Sequence, residues 1–164
     1  MSAARLLTLL GALLVLGAVD ASIYGKERVK RDGTVVYIAI GPRDPRSLMQ
    51  GDYMALRFPL AQAIEASWRS GPPGSAPAEG ETRYAGIAVD PRGVATLAAP
   101  GATAALRIRY RVRGGSAWLG TNAYFFEERT EARYSAARFG EFRLDPASGE
   151  AVLVGLRDAK LDPL

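Results

Sequence analysis

Cysteine and histidine are both missing from this sequence. Without cysteine the chain can form neither disulfides nor thiolate nucleophiles, and without histidine it has no imidazole base. The usual zinc sites and the Ser-His and Cys-His nucleophile pairs are therefore excluded. Most familiar hydrolase mechanisms are closed to this chain, and we expect no cofactor and no metal ion.

Lysine is also scarce. The only lysines are Lys26, Lys30 and Lys160, so the net charge of +4 comes almost entirely from arginine. A mild positive balance permits contact with anionic surfaces. No block of like charges and no nucleic-acid-binding motif accompanies this charge, and we expect no nucleic-acid partner.

The chain has one long apolar run, residues 6–19, in which Thr8 is the only polar residue. A cleavable signal peptide has a short charged start, an apolar stretch of this length and small residues at its exit, which residues 19–21 supply. A membrane span needs about 20 apolar residues, and this run reaches that length only if it includes polar residues at its ends. We favour a retained signal-like anchor helix, residues 1–25, over a cleaved signal peptide or the first helix of a soluble core.

Charge alone leaves the orientation of this helix open. Four basic residues follow the apolar run, Lys26, Arg28, Lys30 and Arg31, whereas Arg5 and the amino terminus precede it. Counting positive charges would place the carboxyl side in the cytoplasm, but that rule weakens when a long folded domain follows. We expect a single-pass protein of the cytoplasmic (inner) membrane, with its C-terminal domain on the extracytoplasmic, periplasmic side.

Residues 26–164 have the size and composition of one globular domain, since 48% of the chain is apolar and 23% is charged. The runs at 35–40 and 53–58 predict strands. Further paired runs predict three hairpins, with turns at 90–93, 114–115 and 146–149. The expected fold class is mainly β, at the margin of α+β, with antiparallel hairpins forming a small barrel or sandwich.

One or two short helices should accompany the strands. Pro59 fits a first helical position and is followed by an apolar stripe with helical spacing. Residues 127–140 predict a second short helix that ends at Gly140. The Gly- and Pro-rich residues 71–81 predict a flexible surface loop inside the domain rather than a domain boundary.

The stretch DPRSLMQGDYMALRF, residues 44–58, places a carboxylate at the start of a predicted strand. On that strand Asp52 shares a face with Leu56 and Phe58, where a carboxylate is costly unless it is hydrogen-bonded. We expect Asp52 to accept backbone N–H groups of the preceding turn, with Gly51 in a conformation closed to other residues. The alternative is a ligand-binding or catalytic carboxylate.

The run at 106–113 alternates apolar and basic residues. Its outward face would carry Arg107, Arg109, Arg111 and Arg113, which we call the arginine ladder. Guanidinium groups suit phosphates and acidic polysaccharides, so an anion-binding face is one interpretation. The structural interpretation, which we favour, is a solvated strand face paired with acids such as Glu141 and Glu150.

An acidic cluster, Glu127, Glu128 and Glu131, follows a run of aromatic residues. Clustered carboxylates can perform acid–base catalysis or hold a divalent cation. Arg129 and Arg133 lie among them and favour ion pairs on a helix surface instead. We therefore assign neither a catalytic residue nor a metal site to this cluster.

The motif at residues 51–58 resembles that of the GDYXXLXY family of bacterial membrane-anchored proteins. Gly51, Asp52, Tyr53 and Leu56 match its named positions, and Phe58 stands where the family has a final tyrosine. The N-terminal apolar helix, the AYFFEE stretch at 123–128 and the C-terminal hairpin extend the resemblance. The family usually has glycine after the acidic residue that follows its aromatic pair, whereas this chain has Arg129 after Glu128. The resemblance implies an envelope protein that works with polytopic membrane partners, and it implies no activity.

We therefore expect a membrane-anchored extracytoplasmic domain, in contact with the lipid bilayer, that acts as a binding or assembly module of the bacterial envelope. The alternative is an envelope hydrolase that uses the carboxylates of Asp52 with Glu127 or Glu128.

Overall fold

A computed structural model of the chain describes residues 3–41, 53–71, 76–127 and 129–164. In these ranges one long helix precedes a strand-rich domain. The elements in chain order are α1 (Ala3–Asp32), β1 (Thr34–Ala39), β2 (Tyr53–Ala55), α2 (Pro59–Arg69), β3 (Thr82–Val89), β4 (Val94–Leu97), β5 (Leu106–Arg113), β6 (Ser116–Trp118), β7 (Ala123–Phe125), α3 (Glu131–Tyr134), β8 (Phe139–Leu144) and β9 (Ala151–Arg157).

Seven of the strands form one curled sheet in the order β6-β5-β3-β4-β1-β8-β9, and β2 pairs with β7 in a separate two-stranded sheet. The three predicted hairpins, β3–β4, β5–β6 and β8–β9, are all present and antiparallel. The prediction of a mainly β fold with few helices after an apolar N-terminal helix is confirmed.

One strand pair departs from the antiparallel pattern. β1 runs parallel to β4, with Tyr37 opposite Val94 and Ile38 opposite Ala95. The chain between these two strands contains α2 and two further strands, and parallel neighbours require such a long connection. Sequence periodicity cannot distinguish this pairing from a hairpin, because it carries no information on strand direction.

The turn between β8 and β9 closes the curl of the sheet against β5. The backbone N–H of Arg109 donates to the carbonyl of Gly149 at 2.7 Å, and Arg107 Nη2 donates to the carbonyl of Ala147 at 2.8 Å. Gly149 has φ of +70°, and a Cβ there would lie 3.2 Å from the backbone of β5. Glycine is therefore needed both for the turn and for the close approach.

Helix α2 lies in the hollow of the curled sheet and supplies part of the core. Phe58 has extended backbone angles and Pro59 occupies the first turn, as predicted for the start of this helix. Leu60 and Ile64 are buried, and Trp68 stacks on Tyr110 with ring centroids 5.8 Å apart. The core combines this helix face with inward residues of both sheets, among them Val36, Ile38, Met54, Ile87, Ile108, Phe142, Leu144 and Leu156.

The predicted helix ending at Gly140 was wrong in its extent. Helix α3 stops at Tyr134, and Gly140 lies inside β8. A Cβ at Gly140 would come within 2.9 Å of the Phe142 ring and 3.0 Å of Leu153. This glycine makes room for core side chains and does not terminate a helix.

The loop predicted at 71–81 is described at Gly71 and from residue 76 onward. Its last residues are bonded to the β5–β6 hairpin. The carboxylate of Glu79 accepts the N–H groups of Gly114 at 3.0 Å and Gly115 at 3.3 Å, and the Gly80 N–H donates to the Val112 carbonyl. The section from 76 to 81 is thus held against the edge of the sheet.

Candidate functional site

The two segments that carry the motif pair with each other. In the β2–β7 sheet, Tyr53 lies opposite Phe125, Met54 opposite Tyr124 and Ala55 opposite Ala123. We call this pair of strands the motif ribbon. The sequence gives no sign of this pairing, because the run at 117–126 predicts a single strand that pairs with β5 across the turn at 114–115. That run is instead divided between β6 and β7 by Gly120, whose φ is +102°.

The motif ribbon has an apolar inner face and an aromatic outer face. Met54, Leu56 and Phe58 are buried, as the predicted alternation requires, although β2 itself ends at Ala55. Tyr53 and Phe125 point outward with 37% and 75% of their surfaces exposed, and their ring centroids lie 5.7 Å apart. The residues of the motif thus have two different roles. Leu56 packs in the core, whereas Tyr53 lies on the surface.

Gly51 and Asp52 lie outside the described residues, and the predicted backbone bonds of Asp52 remain a prediction. Three other aspartates in this domain form bonds of that kind. Asp90 accepts from the N–H groups of Arg92 and Val94, and Asp158 accepts from those of Lys160 and Asp162. Each carboxylate holds a tight turn through backbone amides.

Asp145 is the third of these aspartates. Its carboxylate accepts the hydroxyl of Ser148 at 2.6 Å and the N–H of Ala147 at 3.1 Å. The Ser148 hydroxyl, followed by the Ala147 amide, lowers the pKa of Asp145 below its ordinary value. Hydrogen bonds to the ionised form produce that direction.

Among the described residues, no group of three or more potential metal ligands lies close enough together to hold an ion. Glu127 is exposed, Glu128 lies outside the described residues, and Glu131 begins α3. Burial raises the pKa of the nearby Tyr124 phenol above its ordinary value.

Arg129 lies in the turn between β7 and α3. Its φ is +67°, in the left-handed region. Glycine reaches this region without steric cost, whereas a residue with a Cβ is uncommon there. This chain makes the turn with arginine.

The arginine ladder alternates as predicted, with Ile108, Tyr110 and Val112 buried between its members. Two of its residues fasten the sheet. Arg107 bonds the β8–β9 turn and lies over the Tyr84 ring, with its guanidinium carbon 4.7 Å from the ring centroid. Arg109 Nη2 lies 3.2 Å from Glu150 Oε2, so Glu150 is the predicted acidic partner. Glu141 pairs with Arg157 instead of the ladder.

The other two members of the ladder contact no carboxylate among the described residues. Arg111 Nε donates to the Gly80 carbonyl at 2.9 Å, and the Arg113 guanidinium lies over the Trp118 ring at 4.8 Å from its centroid. Both side chains are exposed. In the described ranges Arg109 is thus the ladder member with an ion pair, whereas Arg111 and Arg113 keep guanidinium groups without an acidic partner.

Helix α1 contacts the domain beside Arg109 of the arginine ladder. It continues past residue 25 to Asp32, and Val29 is buried against the sheet. Lys26 forms an ion pair with Glu150, which also holds Arg109. Neither Lys26 nor Trp118 was predicted as a site residue. The basic residue after the apolar run, Lys26, was visible in the sequence. Its partner, Glu150, could be identified only from the folded structure.

Among the described residues, α1 is the one helix with the length and apolar composition of a membrane span or signal anchor. No curated protein and no solved structure matches the chain. The sequence profile described as GDYXXLXY protein matches residues 15–156, a range that takes in α1 from Val15 onward, the motif ribbon and all but the last residue of β9. With most of its 164 residues inside that match, the chain belongs to the GDYXXLXY family.

Proposed function

We propose that this protein is a binding or assembly module tethered to the outer side of the bacterial cytoplasmic membrane by α1. The observation that carries the proposal is the exposure of α1. Every residue from 4 to 28 is exposed, and leucine and valine dominate the part between 6 and 19. A helix that is apolar all round requires a cover, and the domain supplies none to this part. The lipid bilayer is the cover we propose.

The dimensions of α1 fit this role. Residues 3–24 precede the first basic side chain of the domain side, Lys26. At about 1.5 Å per residue these 22 residues extend about 33 Å, close to the hydrocarbon thickness of about 30 Å. A long folded domain follows, and Arg5 lies ahead of the run, as in signal anchors whose amino terminus stays in the cytoplasm.

The tether predicts that the full-length protein stays in the membrane fraction through alkaline washing, and that a C-terminal phosphatase fusion is active in intact cells. The double variant Leu10→Asp/Leu14→Asp should lose membrane retention, because each carboxylate at the middle of a span costs about 2.5–3.5 kcal/mol. Ser22→Asp, near the end of the proposed span, serves as the control and should remain in the membrane.

Two results would contradict this proposal. An inactive phosphatase fusion in intact cells would exclude the extracytoplasmic orientation. N-terminal sequencing that begins after Ala21 would show a cleaved signal peptide and remove the anchor.

We further propose that the partner is a polytopic membrane protein and that the outer face of the motif ribbon contacts it. The family resemblance implies such partners, and tethering by α1 would confine the domain to their vicinity. Tyr53 and Phe125 expose a pair of aromatic rings on the two segments that carry the family motif. Aromatic residues are enriched in protein interfaces relative to the rest of the surface.

A photo-crosslinking amino acid at Phe125 should give an adduct with an integral membrane protein of several spans when membranes are irradiated. The same group at Val89, which is exposed on β3 away from the motif ribbon, is the matched control and should not give that adduct. Identical adducts from both positions, or adducts with soluble proteins alone, would exclude the motif ribbon as the contact surface.

A further inference from the structure

A basic pocket opens where the end of α1 meets the closed side of the curled sheet. Its volume is about 360 Å³. Its charged lining consists of Lys26 from α1, Arg109, Arg111 and Arg113 from β5, and Glu150 at the start of β9. Trp118 and Leu119 form an apolar part of the wall.

The charges in this pocket do not balance. Four cations face one carboxylate, and that carboxylate, Glu150, already contacts both Lys26 and Arg109. The Nε–H of Arg111 donates to the backbone carbonyl of Gly80, and the guanidinium of Arg113 lies over the Trp118 ring. Neither contacts a carboxylate in the described ranges, so the pocket presents a net positive charge to solvent.

The position of Lys26 relates the pocket to the bilayer. Lys26 follows Tyr24, the last residue of the proposed span, by two positions, a rise of about 3 Å along the helix axis. If residues 3–24 cross the hydrocarbon, Lys26 reaches the headgroup layer, and the ion pair with Glu150 brings the mouth of the pocket to the same level. Trp118 is of the residue type enriched at this interface.

We propose that this pocket binds the phosphate of an anionic phospholipid headgroup. Arg111 and Arg113 supply guanidinium groups whose N–H pairs match two phosphate oxygens, and Lys26 adds a point charge from the membrane side. The site rests on the proposed tether, because only a membrane-inserted α1 places the pocket at the headgroups. Its ligand would fix the tilt of the domain on the membrane surface.

The test uses the full-length protein in nanodiscs of phosphatidylcholine, with or without phosphatidylglycerol, and counts retained lipid by native mass spectrometry. Wild type should retain phosphatidylglycerol in preference to phosphatidylcholine. Arg111→Gln/Arg113→Gln should lower that retention about tenfold or more, since the loss of even one charge-assisted bond is worth about that factor. The matched control, Arg69→Gln/Arg92→Gln, removes the same charge outside the pocket and should behave as wild type.

Two further measurements identify the source of the phosphate and guard against misfolding. Inorganic phosphate is titrated against the protein in phosphatidylcholine nanodiscs with tryptophan fluorescence as the readout, and circular dichroism checks that both double variants are folded. Saturation by inorganic phosphate with no preference for phosphatidylglycerol would overturn the lipid assignment. Equal phosphatidylglycerol retention by all three proteins would overturn the site.

The failure of this site is distinguishable from failure of the tether. A protein that resists alkaline extraction but shows no preference among lipids retains the tether and loses the pocket. A protein that leaves the membrane on alkaline washing loses both.

Discussion

Replacing Phe142 by alanine is expected to lower the free energy of unfolding by about 3–5 kcal/mol, the range for truncating a buried aromatic side chain. Phe142 is fully buried in β8, and its ring meets that of Phe58 edge to face, with centroids 5.5 Å apart. Phe58 leads from the motif ribbon into α2, so the contact joins the two sheets and the helix. Its loss leaves a cavity among rigid neighbours.

The measurement is urea unfolding of the full-length protein in a neutral detergent, followed by circular dichroism. Phe125→Ala removes a ring of the same kind whose surface is 75% exposed, and it should change stability by no more than about 0.5 kcal/mol. A loss for Phe142→Ala as small as that of the control would mean that the core is not organised around this contact.

Local patterns predicted much of this fold because they depend on neighbouring residues. The alternation in β5, the proline at the start of α2 and the turn residues of three hairpins each act within a few positions of the chain. The apolar run of α1 was equally visible. The hairpins followed, since their partners are adjacent in sequence and joined by turns of known geometry.

Pairings between distant segments could not be predicted in the same way. The motif ribbon joins residues 53–55 to residues 123–125, and β1 runs parallel to β4. Short strands such as β2 and β7 carry little periodicity, and nothing in either sequence names its partner. The role of Gly140 was missed for a related reason, because its neighbours Phe142 and Leu153 matter only once β8 and β9 are packed.

The candidate site likewise combines features that local patterns predict with contacts between distant segments that they do not predict. The basic face of β5 was evident from alternation, yet the bond of Arg107 to the turn at 146–149 and the ion pair of Arg109 depend on how distant segments pack. Lys26 and Glu150 are 124 positions apart in sequence, so no local rule connects them. Their ion pair connects the proposed anchor to the ladder.

Glu141→Gln is the second substitution expected to have a large effect, a loss of about 3 kcal/mol in the free energy of unfolding. Glu141 is 7% exposed, and Arg157 Nε donates to its Oε2 at 2.6 Å, with Arg143 Nη2 3.9 Å from Oε1. Removing one partner of a buried ion pair costs about 3–5 kcal/mol, because the other charge remains unpaired. We expect the low end, since the side chain of Arg157 is 22% exposed and can still reach water.

A double-mutant cycle separates the pair from its surroundings. Arg157→Gln alone should also destabilise, because it leaves the more deeply buried carboxylate without its main partner. The double variant Glu141→Gln/Arg157→Gln should lose less than the sum of the two single losses, by about 1–3 kcal/mol, since the second change removes the charge that the first leaves unpaired. Glu127→Gln neutralises an exposed carboxylate and serves as the control. Strict additivity in the cycle would show that the two side chains act independently, and β9 would then be held to β8 by its backbone ladder and apolar contacts alone.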